Sequence, residues 1–590
     1  MSSTRTDRVR PAARALLDAT TTRRAFVAGS AATAAAAMFG GGFAAAAGHG
    51  GARAGIARNQ DVQAGGTLTY GLGFDFDGHL DPQQTNFDSV IRVMLNVCEP
   101  LVWMPTATDF YPALAESWEV SQDGLEYTFH LKQGVTFTDG TPFNAQAVQF
   151  TYDRVVALDK QTAAAVAAGT PAAAVPTADP TKIITPGQSH DQIGTYDHSE
   201  IIDDHTIKMV LTRPFSPFLS GLNGYLGIVS PTAVQTMGIA EFDRKPVGTG
   251  PYVVQEWVEA DHVTLVKNPN FNWGSSFFKH QGAAYFDQII YKIIPDNAVR
   301  TGTLTSGETQ YIDAVDPLQL EDLQGNSDLQ VIQQGQPGSG WTLLVNVARP
   351  DRPVADINVR TALHYAVDKA ALNQAAFGGA NAPAASALMK PTFAYEPKTE
   401  TLFSFDTAKA ESLLDQAGWV KNGDIREKDG NKLQLYFPIQ DRPDDKAMAT
   451  ALQGAFRAVG IDMQVDPMER DAYRTKVRTE KDYDFSFMWF SYADPDVLRT
   501  IFYSKNKDAF NRAQYDNPDV DKMLEDAAAS ADPEERKNLY SQIQIKVLQD
   551  AVCIPLVDTI VYNAKQKKLQ GDFLDFLASY VWMNDAHFEG

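Results

Sequence analysis

The fold is decided by residues 112–155, which read PALAESWEVSQDGLEYTFHLKQGVTFTDGTPFNAQAVQFTYDRV. Apolar side chains occupy every second position of one segment, which predicts a half-buried strand: Leu125, Tyr127, Phe129 and Leu131. The Asp-Gly pairs at 123–124 and 139–140 tolerate positive φ and therefore predict tight turns. Asn144 precedes AQAVQFTYDRV and predicts the N-cap of a helix. Strands, turns and a helix thus follow one another within one stretch.

The same signals recur outward from this stretch. Alternating apolar residues predict strands at 207–211, 433–437 and 461–465, and GGTLTYGLGF from Gly65 predicts an opening strand. Helix starts are predicted at Asp406, ahead of TAKAESLLDQA, and at Asp532, which Pro533 follows. Gly418 stands where the first of these helices should end. This mixture predicts an α/β fold.

Length and charge narrow the class of protein. A chain of 590 residues exceeds what one core usually organises, so two or three domains are expected. The formal net charge of −22 argues against binding to nucleic acid or to anionic lipid. Only Cys98 and Cys553 are present, both among apolar neighbours, and two buried free thiols are expected. A single bridge between them is the alternative in an oxidising compartment.

The N-terminus has the layout of an export signal. Six arginines and two aspartates lie within residues 1–47, and Arg23-Arg24 precede a run rich in alanine and glycine that is too weakly apolar to span a membrane. The core TRRAFV, residues 22–27, resembles the twin-arginine signal. Small residues at 44–47 offer a cleavage site near Ala47, and no cysteine there would take a lipid. The expected product is an exported protein without a lipid anchor.

Catalytic and metal-binding motifs are not found. The sequence contains no G-x-S-x-G and no H-E-x-x-H, and the histidines His190, His198 and His205 lack close ligand spacing. Pro251, within Gly248-Thr249-Gly250-Pro251-Tyr252, removes a backbone donor that a phosphate loop would need, so a turn is expected there. No enzyme activity, metal or cofactor is expected. A secreted hydrolase with two carboxylates distant in sequence, and an envelope sensor or chaperone, are the alternatives.

An ordered series of segments carries a family resemblance. The series includes LDPQQTNFDSVIRVMLNVCEPLVW (80–103), residues 112–155, IIDDHTIKMVLTRPFSPFLSGL (201–222), PVGTGPYVVQEW (246–257), LVKNPNFNW (265–273), INVRTALHYAVDKAAL (357–372) and AKAESLLDQAGW (408–419). Together these segments resemble the family 5 extracellular solute-binding proteins of ABC importers, a group that includes oligopeptide-, dipeptide- and nickel-binding proteins. The resemblance runs from about residue 65 to the C-terminus.

The resemblance implies a two-lobed periplasmic-binding-protein fold that closes about a hinge on its solute. It assigns residues 65–103, 201–324 and 551–590 to lobe I, 104–200 to an inserted subdomain and 325–550 to lobe II. Residues 1–47 are the signal and 48–64 a flexible N-terminus, and the Ala- and Pro-rich residues 159–192 are expected to form a surface insertion. The implied protein is a periplasmic monomer that delivers a peptide or similar solute to a membrane-embedded ABC permease.

The richest candidate for ligand contact is YDFSFMWFSYADPDVLRTIFY, residues 483–503, where an alternating strand gives way to a loop. The candidates there are Trp489, Phe490, Ser491, Tyr492 and Asp494. Peptide-binding relatives carry in this loop an aspartate that pairs with the α-ammonium of the peptide. The matching positions here are Ser491 or Tyr492, and neither is acidic; Asp494 takes that role only if the loop is one residue shorter than in those relatives. The ligand is then a peptide, or instead an oligosaccharide or another neutral or amphipathic solute that packs on the aromatic rings.

Weaker candidates lie at the ends of other predicted strands. Phe76 follows the opening strand, and Glu99 stands where relatives have an acidic residue near the ligand. Trp341 and Asn346, in WTLLVNV, open the second lobe. Each of these four residues is equally consistent with a place in the core or the hinge.

Overall fold

The computed structural model describes residues 62–76, 78–85, 87–167 and 192–589. The predicted export signal and most of the predicted insertion at 159–192 therefore lie outside the described residues. Within the described ranges, every helix is too short or too polar to cross a lipid bilayer.

A seven-stranded mixed sheet, called sheet A here, forms the centre of the first lobe. Its strands, in spatial order, are Leu329–Gly335, Ile560–Gln566, Tyr311–Ile312, Thr67–Leu72, Gln288–Ile293, His262–Lys267 and Tyr252–Val258. The predicted opening strand, Thr67–Leu72, lies in its middle and pairs in parallel with both neighbours. Leu68, Tyr70 and Leu72 are fully buried in this lobe's core.

The stretch at 112–155 folds as predicted into part of a second, four-stranded sheet, called sheet C. Its strands, in spatial order, are Ala115–Val120, Glu126–Leu131, Thr206–Leu211 and Tyr196–Asp203. The helix Ala145–Ala167 follows, and Gly124 and Gly140 take the positive φ that the two Asp-Gly turns require. Sheet C has its own hydrophobic core and corresponds to the expected inserted subdomain, but it extends past the expected boundary at residue 200, because strand Thr206–Leu211 pairs within it.

The second lobe is built on another four-stranded sheet, called sheet B. Its strands, in spatial order, are Ala382–Pro383, Cys553–Asp558, Gly338–Val345 and Phe485–Ser491. A parallel pair, Gln434–Gln440 and Asp462–Met468, packs beside strand Phe485–Ser491 through Phe437. Cys98 lies buried in the first lobe and Cys553 in the second, and both thiols are free.

Smaller sheets account for further strands of the described residues. They consist of Val62–Gln63, His587–Glu589 and Leu569–Gln570; Phe573–Leu574 and Val581–Trp582; Val102–Trp103 and Tyr111–Pro112; and Val420–Asn422, Ile425–Lys428 and Asn431–Lys432. Residues 62–63, expected within the flexible segment 48–64, are thus held by the C-terminal strand.

Helices pack around these sheets. Those of the first lobe, besides Ala145–Ala167, are Asp88–Met94, Phe218–Gly221, Pro231–Met237, Ile239–Arg244, Asn297–Ser306 and Leu320–Gly325. Those of the second lobe are Ile357–Ala366, Lys369–Phe377, Thr407–Gln416, Pro443–Ala458, Arg470–Thr475, Val497–Phe502, Pro518–Ala529 and Pro533–Gln549. Asp406 and Asp532 cap their helices as predicted, each carboxylate accepting a backbone N–H of the first turn.

The chain crosses between the lobes twice, at neighbouring places. Strand Leu329–Gly335 belongs to sheet A and strand Gly338–Val345 to sheet B, so the first crossing is at 336–337. The return crossing is at Thr559, whose carbonyl accepts the N–H of Gln336 at 3.1 Å. Both crossings come later in the chain than the expected boundaries at 324/325 and 550/551, because alternation within a strand does not say which sheet it joins. Two short segments side by side are the geometry of a hinge.

Candidate ligand-binding cleft

Trp489 lies near the end of strand Phe485–Ser491 and forms part of an aromatic stack. Its ring lies 4.3 Å from that of Trp341, with 15° between the planes. Trp341 is buried on the neighbouring strand of sheet B, whereas Trp489 is half-buried. Trp341 therefore belongs to the core of the second lobe and supports Trp489, which lies at the edge of that core.

Arg442 lies over the ring of Trp489. Its guanidinium carbon is 4.6 Å from the ring centroid, and Nε and Nη2 donate to Asp445 at 2.9 and 2.6 Å. This cation–π contact and ion pair hold the guanidinium in place. Arg442, paired with Asp445, therefore covers part of the Trp489 indole.

The loop after Trp489 lies where the two lobes meet. The N–H of Tyr492 donates to the carbonyl of Pro337 in the hinge at 3.2 Å. Ala493 packs against a first-lobe cluster that includes Trp103, Tyr225 and Tyr580. Ser491, Tyr492 and Ala493 are each half-buried, so this loop contacts both the hinge and the opposite lobe.

Close backbone packing fixes the start of this loop. Ser491 is paired with Gly338, whose φ is +113° and whose added Cβ would lie 2.1 Å from the carbonyl oxygen of Phe490. Only glycine fits there, because any side chain would collide with backbone. The ring of Phe490 packs edge-on against Phe510 within the second lobe. Phe490 therefore packs within the second lobe, whereas Ser491 lies at the start of the loop.

Asp494 is engaged within the second lobe. It is buried, accepts the N–H of Asp496 at 2.9 Å and forms an ion pair with Arg536 at 2.6 Å. Arg536 in turn donates to the carbonyl of Ala527. A carboxylate compensated in this way counts against Asp494 as the partner of a solute's ammonium group.

Phe76 and Glu99 are both buried in the first lobe. Phe76 packs edge-on against Trp257, and the residue exposed at this strand end is instead Phe74, at 65%. Glu99 accepts hydrogen bonds from Thr249 and Trp273, each at 3.0 Å. Burial raises the pKa of Glu99 to about 7, although Lys132 and these two bonds oppose that shift. The carboxyl therefore serves hydrogen bonding inside the first lobe.

Asn346 is a structural residue of the second lobe. Its amide donates to the carbonyls of Lys481 and Tyr483 at 3.2 and 3.1 Å, and its side chain is buried. The structure thus brings Trp489, Ser491 and Tyr492 together near the hinge, with Trp341 behind them. Phe76, Glu99 and Asn346 serve packing or hydrogen bonding elsewhere.

Two features of the structure, Arg442 over Trp489 and the buried Asp575, have no signal in the sequence. Arg442 lies far from Trp489 in sequence, at the start of helix Pro443–Ala458, so no local pattern joins them. Asp575 was not singled out because its segment looks like an ordinary loop. It is fully buried and accepts the N–H groups of Ser579 and Tyr580, while its Oδ2 has no hydrogen-bond partner among the described residues. Burial raises its pKa to about 7.

Known proteins show the same organisation. A family model described as bacterial extracellular solute-binding proteins, family 5 middle, matches residues 109–510. The glutathione-binding protein GsiB of Shigella flexneri is 28% identical over 502 residues, which cover 83% of this chain and 89% of the relative.

Solved structures show the same fold at low sequence identity. The periplasmic binding protein DppA of Helicobacter pylori, in complex with peptide STSA, matches with a TM-score of 0.70 at 24% identity. The match covers 90% of this chain and 99% of the DppA chain. NikA of Brucella suis, in complex with Fe(III)-EDTA, matches with a TM-score of 0.73 at 24% identity. The match covers 89% of this chain and 100% of the NikA chain.

Proposed function

This chain belongs to the bacterial extracellular solute-binding proteins of family 5, and from that premise we propose that it captures a peptide or a similar small solute between its lobes. It then delivers the solute to the membrane-embedded permease of an ABC transporter. The observation that carries the proposal is the loop 491–493, which contacts the hinge and the opposite lobe beside the Trp489 ring. A residue in that position senses both the solute and closure of the lobes.

The protein acts outside the cytoplasm as a monomer. It is exported through the twin-arginine-type signal at 1–47, which is removed near Ala47, and it works in the periplasm without a lipid anchor. Binding rather than catalysis is proposed, because the charged groups described at the cleft are engaged with one another. Arg442 pairs with Asp445, and Asp494 pairs with Arg536.

The site residues of this proposal are Trp489, Ser491, Tyr492 and Arg442. Indole and phenol rings with neutral hydroxyls suit an extended peptide held through its backbone, and Arg442, paired with Asp445, holds the Trp489 ring in place. A bound α-ammonium would find no free carboxylate at 491 or 492.

A thermal-shift screen tests the proposal. The probes are glutathione, the tetrapeptide STSA, Fe(III)-EDTA and neutral oligosaccharides. A solute at 100 times its Kd stabilises the folded protein by roughly 2.7 kcal/mol, which shifts Tm by a degree or more. We expect a shift with at least one peptide.

Variants locate the binding site. Tyr492→Ala should abolish most of the peptide shift, whereas Tyr111→Ala, which changes an exposed tyrosine on the first lobe, should leave it intact. A shift with oligosaccharides alone would replace peptide by sugar as the substrate class. No shift with any small solute, together with hydrolysis of a polymer, would overturn the binding function.

A further inference from the structure

The two lobes touch each other directly at a place far in sequence from the hinge. Ser216, which follows sheet C in the first lobe, donates to the carbonyl of Ala528 through its N–H at 2.8 Å and through its Oγ at 3.2 Å. Ala528 lies near the end of helix Pro518–Ala529 in the second lobe. Its side chain is 3% exposed and packs into the core of the inserted subdomain.

A charge contact supports this junction. The guanidinium of Arg499, in the second lobe, lies 5.4 Å from the ring centroid of Phe215 in the first. Asp496 holds Arg499 through Nε and Nη2, at 2.9 and 2.6 Å, and only 1% of the Asp496 side chain is exposed. A cation held by a buried carboxylate and presented to a ring in this way favours contact between the two lobes.

The junction is connected to the candidate cleft. Asp494, three residues after Ser491, pairs with Arg536, and Arg536 donates to the carbonyl of Ala527 at 3.1 Å. Ala527 precedes the alanine that Ser216 contacts. The loop beside Trp489 and the junction are therefore parts of one hydrogen-bonded unit of the second lobe.

We propose that Ser216, Phe215, Arg499 and Ala528 form a latch that stabilises the closed state through contacts between the lobes alone. The latch residues set the affinity for every solute by a common factor, because they favour closure without selecting what lies in the cleft. Contacts to the solute and contacts within the latch both stabilise the closed state. A weaker latch therefore leaves a larger fraction of the protein open.

A distance measurement tests the latch without any solute. Spin labels are placed at Val258→Cys in the first lobe and Val420→Cys in the second, both exposed in the native protein, while the two native thiols are buried. Ala528→Trp places a wedge in the latch, and Ala529→Trp places the same ring at an exposed position of the same helix. Electron–electron double resonance then reports the separation of the lobes.

We expect Ala528→Trp to lengthen the mean distance relative to both the parent and Ala529→Trp, with Tm nearly unchanged. Ala528→Leu, a smaller wedge, replaces it if the tryptophan variant does not fold. An unchanged distance in a folded wedge variant would overturn the latch.

A second arm rests on the proposed function. Any two solutes that bind in the thermal-shift screen should each lose affinity by the same factor in Ala528→Trp, roughly three- to tenfold for one or two lost hydrogen bonds. Unequal factors would mean that Ala528 contacts solute and would overturn the latch as a solute-independent device. Because the distance arm needs no solute, failure of the latch is distinguishable from failure of the proposed function.

Discussion

Trp341 and Trp489 stack on each other, yet their environments predict different roles. Trp341 is 6% exposed within the core of the second lobe, and Trp489 only packs against that core. Alternation along one strand cannot separate the two roles, since Trp489 continues the pattern of Phe485 and Phe487. The two roles differ because Trp341 is buried between neighbouring strands and Trp489 is not.

Trp489→Ala should weaken solute binding at least tenfold and cost roughly 1–2 kcal/mol of unfolding free energy, because a half-buried side chain loses its stack on Trp341 and its cation–π contact with Arg442. Trp341→Ala is the matched control and should cost about 3–5 kcal/mol, as expected for a buried large side chain. Calorimetric titration and denaturant unfolding measure the two quantities. Equal losses of unfolding free energy in the two variants would show that Trp489 is a core residue like Trp341.

His364 predicts acid sensitivity. It is buried and stacked 4.0 Å from Phe403, and neither ring nitrogen has a hydrogen-bond partner among the described residues. Burial, assisted by the charge of Lys369, lowers its pKa to about 3. An unfolded histidine titrates near 6.5, so the unfolded chain binds the extra proton first, and stability falls as pH drops from about 6.5 toward 3.

His364→Phe should keep the stacking and remove this part of the pH dependence. Denaturant unfolding between pH 4 and 7 measures it, and His198→Asn, a change at an exposed histidine, is the control. If the parent and His364→Phe lose stability in parallel on acidification, the buried neutral histidine is not the cause.

At the scale of elements, two glycines differ in the space that their surroundings leave for a side chain. Gly248 lies in the turn before strand Tyr252–Val258, and an added Cβ would lie 2.1 Å from the carbonyl oxygen of Val97. Gly302 lies within helix Asn297–Ser306, and its added Cβ would meet nothing within 4 Å. The glycine at 248 serves a close approach of two segments, which explains the G-T-G-P pattern without a phosphate.

Gly248→Ala should therefore destabilise the protein by several kcal/mol, and Gly302→Ala should stabilise it by roughly 0.5–1 kcal/mol. Thermal unfolding measures both changes. A neutral effect of Gly248→Ala would show that the turn at 248–251 shifts away from residues 96–98 without cost.

At the scale of the whole molecule, charge acts across a second place where the lobes approach each other. Asp444 in the second lobe is exposed, yet partial desolvation by its neighbours raises its pKa; Arg442 opposes this, and the charge of Asp316 in the first lobe raises it further. Two carboxylates that approach on closure repel each other. This repulsion between the lobes opposes the latch.

Asp444→Asn should favour closure and raise the affinity for each solute by a common factor below about threefold, with a smaller effect at high salt. Calorimetric titration with the peptides that bind in the screen measures it, and Asp424→Asn, on an exposed loop of the same lobe, is the control. A loss of affinity confined to cationic solutes would instead place Asp444 in contact with solute.

Several local features were determined by the sequence itself. Strands Glu126–Leu131 and Thr206–Leu211, the caps at Asp406 and Asp532, and the turns at Gly124 and Gly140 depend on neighbours a few residues apart. The order of seven segments identified the family, which the family model confirms, and with it the two-lobed fold. Periodicity alone would have given only the α/β class.

Tertiary structure alone decided which residues meet. Arg442 over Trp489, Arg536 on Asp494 and Ser216 on Ala528 join segments distant in the chain, and no local pattern encodes such pairs. The same holds for the hinge, because the sheet that a strand joins depends on its partners. Burial follows from packing as well, which is why Phe74 rather than Phe76 is exposed at the end of the opening strand. Short-range patterns thus determined the elements, and long-range contacts determined the cleft.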